Sequence, residues 1–315
     1  LSGVYSDYIK SPEEKTAVKA MELMDKYAQG NKPWHLRVEF SGPHVPWIIP
    51  KRYDNLVNAK EIKKPANFYE DFENKPTIQK RQHRNANLCS CYHDWEWTSR
   101  NLIRYYGYIS LIDDVINRLL DKLDSLKLTQ DTIIIFTSDH GELAGAHNRI
   151  GKGELPYDEL YHIPMIVSWP GRVEPGSSCD ELVMLHDLCP TMLDMLDIGY
   201  PDNLHAKSIL DLLLNESDNG QIRKQVLIEH HGTFQPLMIR ILRDKRGKYC
   251  FNPFDFDEFY DLEKDPGELN NLINDISYQS TIQNYRNRLL AEQASVEEKW
   301  SEISYWFLSE TGNQG

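Results

Sequence analysis

The stretch that decides the fold is Thr132–Gly171, TIIIFTSDHGELAGAHNRIGKGELPYDELYHIPMIVSWPG. It begins with the apolar run Ile133–Phe136, which is rich in β-branched residues. A short run of this kind predicts a strand buried on both faces, as in a parallel sheet. A second apolar run, Pro164–Trp169, follows later and ends at Pro170 and Gly171. The stretch therefore indicates an α/β protein.

Polar residues stand directly after the first strand, in the segment Ser138–Gly141. Ligands of open α/β sheets collect outside the carboxyl ends of the strands. A carboxylate beside an imidazole at such an end is a candidate metal site, and the glycine lets the chain turn sharply. Lys152 follows between Gly151 and Gly153, in a segment too polar for the core. Taken alone, the acid–imidazole pair is also typical of a surface hydrogen bond.

The ordered set of motifs closely resembles the sulfatases of the alkaline-phosphatase superfamily. In that family a strand ends in Ser-Asp-Asn/His-Gly, and the Asp and the Asn or His bind a divalent metal. A lysine one loop later contacts the sulfate, and a Tyr-Glu-like pair leads to a strand that ends in Trp-Pro-Gly. The matching residues here are, in order, Asp139, His140, Lys152, Tyr157–Glu159 and Trp169–Gly171. The resemblance implies metal ligation by Asp139 and His140, and a catalytic, sulfate-binding role for Lys152.

Three further histidines are candidates for the site. His44 lies in Pro43–Pro46, where two prolines restrict the backbone around one imidazole, although a proline-rich loop can carry an incidental histidine. Sulfatases have a Pro-His-x-Pro segment whose histidine contacts the sulfate or the leaving oxygen, which implies a catalytic and substrate-binding role for His44. His147 lies in the loop before Lys152 and is predicted either to shape that loop or to approach the substrate. His230 follows a predicted strand and is predicted to lie at the substrate rim.

The rest of the chain predicts an α/β domain followed by a smaller one. Ser11–Glu14 has the residues of a capped helix start, and Trp95–Leu126 has the periodicity of a long amphipathic helix. His35–Phe40 alternates as a strand does, and the proline-broken region from Ile49 to about Cys91 predicts a long loop over the active-site face.

A change in composition near residues 215–221 predicts a boundary between residues 1–215, the carboxyl-terminal portion of a sulfatase α/β domain, and residues 216–315, a small subdomain. Short strands joined by brief turns predict an antiparallel sheet there, and a helix from about Thr281 to Trp300 closes the chain. The predicted fold class is α/β, with a mostly parallel sheet flanked by helices, a smaller carboxyl-terminal antiparallel sheet and a terminal helix.

The charge balance limits the partners. The chain has 35 basic and 48 acidic residues and a formal net charge of −13, which disfavours nucleic acid as a partner. An anionic substrate therefore requires a local cluster of cations or a metal. No apolar run is long enough to predict a transmembrane segment. The five scattered cysteines predict free thiols, which mildly favours a reducing compartment. Because any signal peptide would precede Leu1, both a cytoplasmic and a periplasmic location stay open.

The chemistry implied by the resemblance is metal-dependent cleavage of a small-molecule or glycan sulfate ester, with calcium as the expected metal and manganese or magnesium as alternatives. Sulfatases use a formylglycine made from the cysteine of a C-x-P/A-x-R motif, and no cysteine or serine of this chain stands in such a motif. We therefore expect the nucleophile in a segment before Leu1, and little activity from this chain alone. Two alternatives remain, namely a phosphonate or phosphate ester hydrolase of the same superfamily and a non-catalytic binding protein or inactive fragment.

Overall fold

A computed structural model describes residues 2–7, 10–84, 94–215, 222–232 and 238–296. Its helices are α1 (Pro12–Ala28), α2 (Thr77–Arg84), α3 (Trp95–Ser125), α4 (Asp158–Tyr161), α5 (Leu188–Met195), α6 (Leu210–Leu213) and α7 (Gln279–Ser295). Its strands are β1 (Ser2–Tyr5), β2 (Trp47–Pro50), β3 (Ile134–Thr137), β4 (Met165–Ser168), β5 (Val226–His230), β6 (Ile239–Arg243), β7 (Gly247–Phe251) and β8 (Glu258–Asp261). Within these ranges no helix combines the length and the apolar character needed to cross a bilayer.

The amino-terminal core forms where α1 and α3 pack together with a parallel pair of strands. β1 and β2 run parallel, with Ser2 opposite Trp47. The predicted cap of α1 is confirmed, because the Ser11 hydroxyl accepts from the Glu14 N–H at 3.0 Å and the Ser11 N–H donates to the Glu14 carboxylate at 2.8 Å. Apolar side chains of α1, β2 and α3 form one buried cluster, which includes Ala17, Met24, Trp47, Ile49, Leu102, Leu111 and Val115. This cluster supports the loops that carry the site.

The strand predicted from the first apolar run is present, but its surroundings differ from the prediction. β3 pairs antiparallel with β4, so that Phe136 lies opposite Ile166. Phe136 is 39% exposed and Ile166 is 60% exposed, so β3 is not buried on both faces in the described part of the chain. A continuous apolar run predicts a strand but does not predict which elements cover it. Among the described residues, β4 is the strand that pairs with β3.

The carboxyl-terminal sheet agrees with the prediction. Its four strands follow the order β5-β6-β7-β8, and each neighbouring pair is antiparallel. Helix α7 packs against the sheet through a second buried cluster, which includes Leu242, Tyr249, Phe259, Ile282 and Leu289. The α/β class with a parallel sheet, a carboxyl-terminal antiparallel sheet and a terminal helix is thus confirmed. The predicted end of that helix at Trp300, and residue 216 at the predicted domain boundary, lie outside the described residues.

The strand predicted at His35–Phe40 is wrong, since these residues belong to no strand. The alternation nevertheless reports burial, because every second side chain packs against the cluster of α1, β2 and α3. Those side chains are Trp34, Leu36, Val38 and Phe40. Burial of one side of this segment therefore gave its apolar residues the same period of two that a strand in a sheet has.

The region from Ile49 is more deeply buried than a loop over the active-site face would be. Phe68 and Phe72 have no exposed surface, and the polar residues Asn67, Lys75 and Gln79 are also buried. These three side chains bond to residues far along the chain, Asn67 to Glu159, Lys75 to Tyr260 and Gln79 to Glu258. Of the cysteines, Cys179 and Cys189 are free and exposed and Cys250 is free and buried, while Cys89 and Cys91 lie outside the described residues.

Candidate active site

Asp139 and His140 lie at the carboxyl end of β3. The Asp139 side chain is 81% exposed, and its carboxylate lies 3.7 Å from Nε2 of His140. The Asp139 carboxylate also accepts from the backbone N–H of His140 at 3.0 Å. Nδ1 of His140 donates to the carbonyl of Gly141 at 2.7 Å, which leaves the lone pair on Nε2. The two side chains therefore present an oxygen and a nitrogen ligand toward the same space.

Gly141 holds this strand end against the start of α4. Its N–H donates to the carbonyl of Leu160 at 2.9 Å. A Cβ at this position would lie 1.9 Å from the carbonyl oxygen of Glu159, which no side chain can tolerate. The sequence predicted a sharp turn at Gly141, and the structure shows that the close backbone approach is what excludes other residues.

The chain returns to the Asp139–His140 pair at Lys152. Its ammonium group donates to Nε2 of His140 at 2.6 Å, although twelve positions separate the two residues. The intervening loop closes on itself, because Leu143 N–H donates to the Gly151 carbonyl at 3.1 Å and Gly145 N–H to the Arg149 carbonyl at 2.7 Å. The structure thus brings Asp139, His140 and Lys152 together.

Glu142 is part of this loop and was not identified from the sequence. Its Oε1 accepts from the N–H groups of Ala144, at 3.1 Å, and of Gly151. Burial raises the pKa of Glu142, while these two N–H groups and the electrostatic effects of His140 and His44 lower it, and burial prevails. An acidic residue immediately after the Ser-Asp-His-Gly segment was the available signal.

His44 lies in an exposed loop that is anchored to α3. Trp47 is fully buried and donates from its indole nitrogen to the Pro43 carbonyl at 2.8 Å. Gly42 packs directly on the ring of Tyr108, where a Cβ would lie 2.0 Å from a ring carbon. His44 Nδ1 donates to the Val45 carbonyl at 2.6 Å, so its other ring nitrogen can act on a bound molecule. His44 and His140 both act electrostatically on Glu142 and lower its pKa.

His147 is not brought to this exposed group. It has no exposed surface, and its Nδ1 donates to the carboxylate of Glu70. Nε2 lies 3.0 Å from the amide nitrogen of Asn67 and 3.7 Å from the carboxylate of Glu159, and the ring stacks on Tyr157 with centroids 3.4 Å apart. Burial lowers the pKa of His147, but hydrogen bonds to Glu159 and Glu70 raise it above its ordinary value. This position leaves His147 no side-chain surface that a substrate could contact.

His230 is at the last position of β5 and is half-buried. Its Nδ1 accepts from the Gly232 N–H at 3.0 Å. Burial lowers the pKa of His230, and the carboxylate of Glu154, two residues after Lys152, opposes this. His230 therefore borders the loop of Lys152.

The donor chemistry of Asp139 and His140 fits two of the ligands of a divalent metal. An exposed carboxylate and an imidazole whose second nitrogen binds a carbonyl are typical ligand arrangements. The Nε2 lone pair accepts from Lys152 in this structure, so a metal would bind His140 only in place of that hydrogen bond. In the ranges that the structure describes, three or more His, Cys, Asp or Glu side chains converge neither at this pair nor anywhere else. Because calcium takes about six to eight oxygen ligands, this pair can supply only part of a calcium site.

The fold and the site define an α/β protein in which a carboxylate, an imidazole and an ammonium group meet at the end of β3. A sulfatase family model matches residues 4–198, and a model for the carboxyl-terminal part of N-sulphoglucosamine sulphohydrolase matches residues 145–295. The chain belongs to the sulfatase family.

Individual relatives agree with this assignment. An arylsulfatase of Clostridium perfringens is 32% identical over 276 residues, which cover 86% of this chain and 56% of the relative. The solved structure of BT4656 in complex with its substrate D-glucosamine-2-N,6-O-disulfate is similar with a TM-score of 0.78 at 19% identity, over 91% of this chain and 70% of that one. A phosphonate monoester hydrolase from Silicibacter pomeroyi is similar with a TM-score of 0.81 at 21% identity, over 90% and 60% of the two chains. The chain spans about half the length of the curated relatives that it matches.

Proposed function

We propose that this chain contributes the metal-binding and sulfate-binding residues of a sulfuric ester hydrolase. The observation that supports this most directly is the 2.6 Å contact between Lys152 Nζ and His140 Nε2. It joins the predicted sulfate ligand to the predicted metal ligand across a closed loop. The formal net charge of the chain is −13, so a local group of cations of this kind is what an anionic substrate requires.

The roles follow from the chemistry of sulfate-ester cleavage. Lys152 supplies a compact positive charge for the sulfuryl oxygens, and its exposed position makes it accessible. His44 supplies a ring nitrogen that can protonate the leaving oxygen. Asp139 and His140 would hold the divalent metal, with calcium favoured and manganese or magnesium as alternatives, and a bound metal would neutralise charge on the substrate. The attacking group, which we expect to be a formylglycine, is not among the residues of this chain.

His230 and His147 differ in the roles that their positions support. His230 borders the Lys152 loop and is half-buried, so we assign it to the substrate rim. His147 is fully buried between Glu70 and Glu159, so a role in shaping the loop is better supported than direct substrate binding. The substrate class that this site would take is a small-molecule or glycan sulfate ester.

A comparison of three substrates tests the reaction. The longest product of the gene that encodes this chain should hydrolyse an aryl sulfate with a higher kcat/KM than an aryl phosphate diester or an aryl phosphonate ester. A preference for the phosphonate would replace the proposal by the alternative, a phosphonate ester hydrolase. The phosphonate monoester hydrolase of Silicibacter pomeroyi has a similar fold. Turnover of none of the three, with calcium, manganese or magnesium supplied, would favour a non-catalytic binding protein.

The metal assignment can be tested by binding. Asp139→Asn keeps the shape of the side chain but removes its charge. Calcium affinity should therefore fall by at least about tenfold, because mutating a residue that only supports a metal ligand already costs about that much. Titration calorimetry on chelator-treated protein measures this directly. Asp121→Asn, on an exposed position of α3, is the matched control and should bind as the unaltered protein does. Equal affinity of the Asp139 variant would remove Asp139 from the metal site.

A further inference from the structure

We propose that Glu142 is a positioning residue that sets Lys152 against His140 by closing the loop between them. The inference rests on the proposed function of Lys152 and deepens it. Glu142 follows Gly141 at the strand end, and its side chain reaches across the base of the loop rather than toward the exposed group. Its action on a substrate would therefore pass through Lys152.

The hydrogen bonds of Glu142 tie the two ends of the loop together. One oxygen, Oε1, accepts from Ala144 N–H at the start of the loop and from Gly151 N–H at its end. Gly151 immediately precedes Lys152, so the second bond fixes the backbone next to the residue that carries the ammonium group. A backbone bond from Leu143 to Gly151, 3.1 Å long, runs beside them.

The loop needs such a closure because its backbone is strained. Ala144, His147 and Asn148 have φ values of 46°, 51° and 50°, and none of them is a glycine. Left-handed conformations cost about 1–2 kcal/mol for such residues, so the isolated segment would not adopt this path. The middle of the loop is secured separately, by the buried His147 against Glu70. Glu142 secures the base, which is the part that determines where Lys152 stands.

A double-mutant cycle tests whether Glu142 acts through Lys152. Glu142→Ala should lower kcat/KM by roughly tenfold to 10²-fold, because a displacement of about 1 Å can cost that much. The variant that carries both Glu142→Ala and Lys152→Ala should lose no more than about twofold beyond Lys152→Ala alone, since coupled residues are not additive. Fully additive losses would refute the proposal.

Two conservative variants separate the position of the acceptor oxygen from its charge. Glu142→Gln keeps an oxygen at the same distance from the backbone, and we expect it to retain most of the activity. Glu142→Asp keeps the charge but withdraws the oxygen, and it should lose activity nearly as far as alanine does. The reverse order would mean that charge, and not loop closure, is what matters. These two variants also decide the question if Glu142→Ala does not fold.

Limited proteolysis supplies a readout that needs no activity. Arg149 lies in the loop and is only 6% exposed, so trypsin can cleave after it only when the loop opens. Glu142→Ala and Glu142→Asp should be cut there faster than the unaltered protein, while Glu142→Gln and the control Glu174→Ala, at an exposed turn, should not. Unchanged cleavage in Glu142→Ala and Glu142→Asp would overturn the closure itself. If no sulfate ester is hydrolysed but these cleavage rates rise, the proposed function fails while the loop closure stands.

Discussion

Lys152→Ala should lower kcat/KM for a sulfate ester by roughly 10²-fold or more, because one contact to developing negative charge typically contributes that much. The lysine stands at 2.6 Å from His140 on an exposed loop, where its ammonium group can meet sulfuryl oxygens. Steady-state kinetics on the full-length protein measures the effect. A loss in kcat and kcat/KM together would show that the contact is made mainly in the transition state.

The matched control is Lys32→Ala, which removes another exposed lysine from the turn after α1. It should leave the kinetic constants unchanged. Neither variant should alter the thermal unfolding temperature, because neither side chain is buried. Turnover near that of the unaltered protein in Lys152→Ala would identify Lys152 as an ordinary surface lysine and would weaken the assignment of the whole loop.

Lys248→Met should lower the free energy of unfolding by about 3–5 kcal/mol, the usual cost of removing one partner from a buried ion pair. Lys248 is fully buried in β7. Its ammonium group lies 2.6 Å from the carboxylate of Glu268 and 2.5 Å from that of Asp158, and it donates to the Pro156 carbonyl at 2.8 Å. Methionine fills a similar volume but leaves the buried Glu268 without its cation. Urea unfolding followed by tryptophan fluorescence measures the loss.

Two variants serve as controls for this effect. Lys245→Met lies in the same hairpin, where the lysine makes an exposed ion pair with Glu181, and should change stability by no more than about 1 kcal/mol. Adding Glu268→Gln to Lys248→Met should restore part of the lost stability, because the double variant no longer buries an unpaired charge. A double variant less stable than Lys248→Met would contradict the electrostatic explanation.

The deficit should also depend on pH. Burial raises the pKa of Glu268, with Lys248 opposing it, so without the lysine this pKa rises further. A group whose folded-state pKa is raised favours the folded state when protonated, so Lys248→Met should regain stability as the pH falls from neutral toward the acidic range. Burial also tends to raise the pKa of Asp158, but Lys248 and Arg243 lower it to about 2. The stability from Asp158 is therefore present above its ordinary pKa and is lost as the pH falls toward 2. A deficit independent of pH would argue against a buried charge.

The Lys248 contacts also relate the carboxyl-terminal sheet to the site. Pro156 and Asp158 follow Lys152 by a few residues, and Asp158 begins α4, whose backbone meets Gly141. Asp158 is bound by Lys248 of β7 and by Arg243 of β6. The sheet therefore secures the segment that supports both the lysine loop and the end of β3.

The sequence alone was sufficient for features that depend on neighbouring residues. The capping box at Ser11, the long helix α3 and the antiparallel carboxyl-terminal strands follow from local hydrogen bonding and from the period of apolar residues. The sequence also identified Asp139, His140 and Lys152 as candidate site residues, from their order along one short stretch. These residues share a strand end and a loop, so their proximity requires little more than the chain itself.

Tertiary structure decided the features that depend on distant partners. His147 looked equally suited to a loop or a substrate site, but in the fold it is fully buried and its Nδ1 donates to Glu70, 77 positions away. His35–Phe40 alternated as a strand does, but its inward side chains pack on the cluster of α1, β2 and α3 without joining a strand. Glu142 had only its place after the Ser-Asp-His-Gly segment as a signal, since its role lies in two backbone N–H groups that the folded loop brings to one oxygen. Local propensity specifies what a segment can form, whereas burial and hydrogen-bond partners are set by which distant segments the folded chain brings into contact with it.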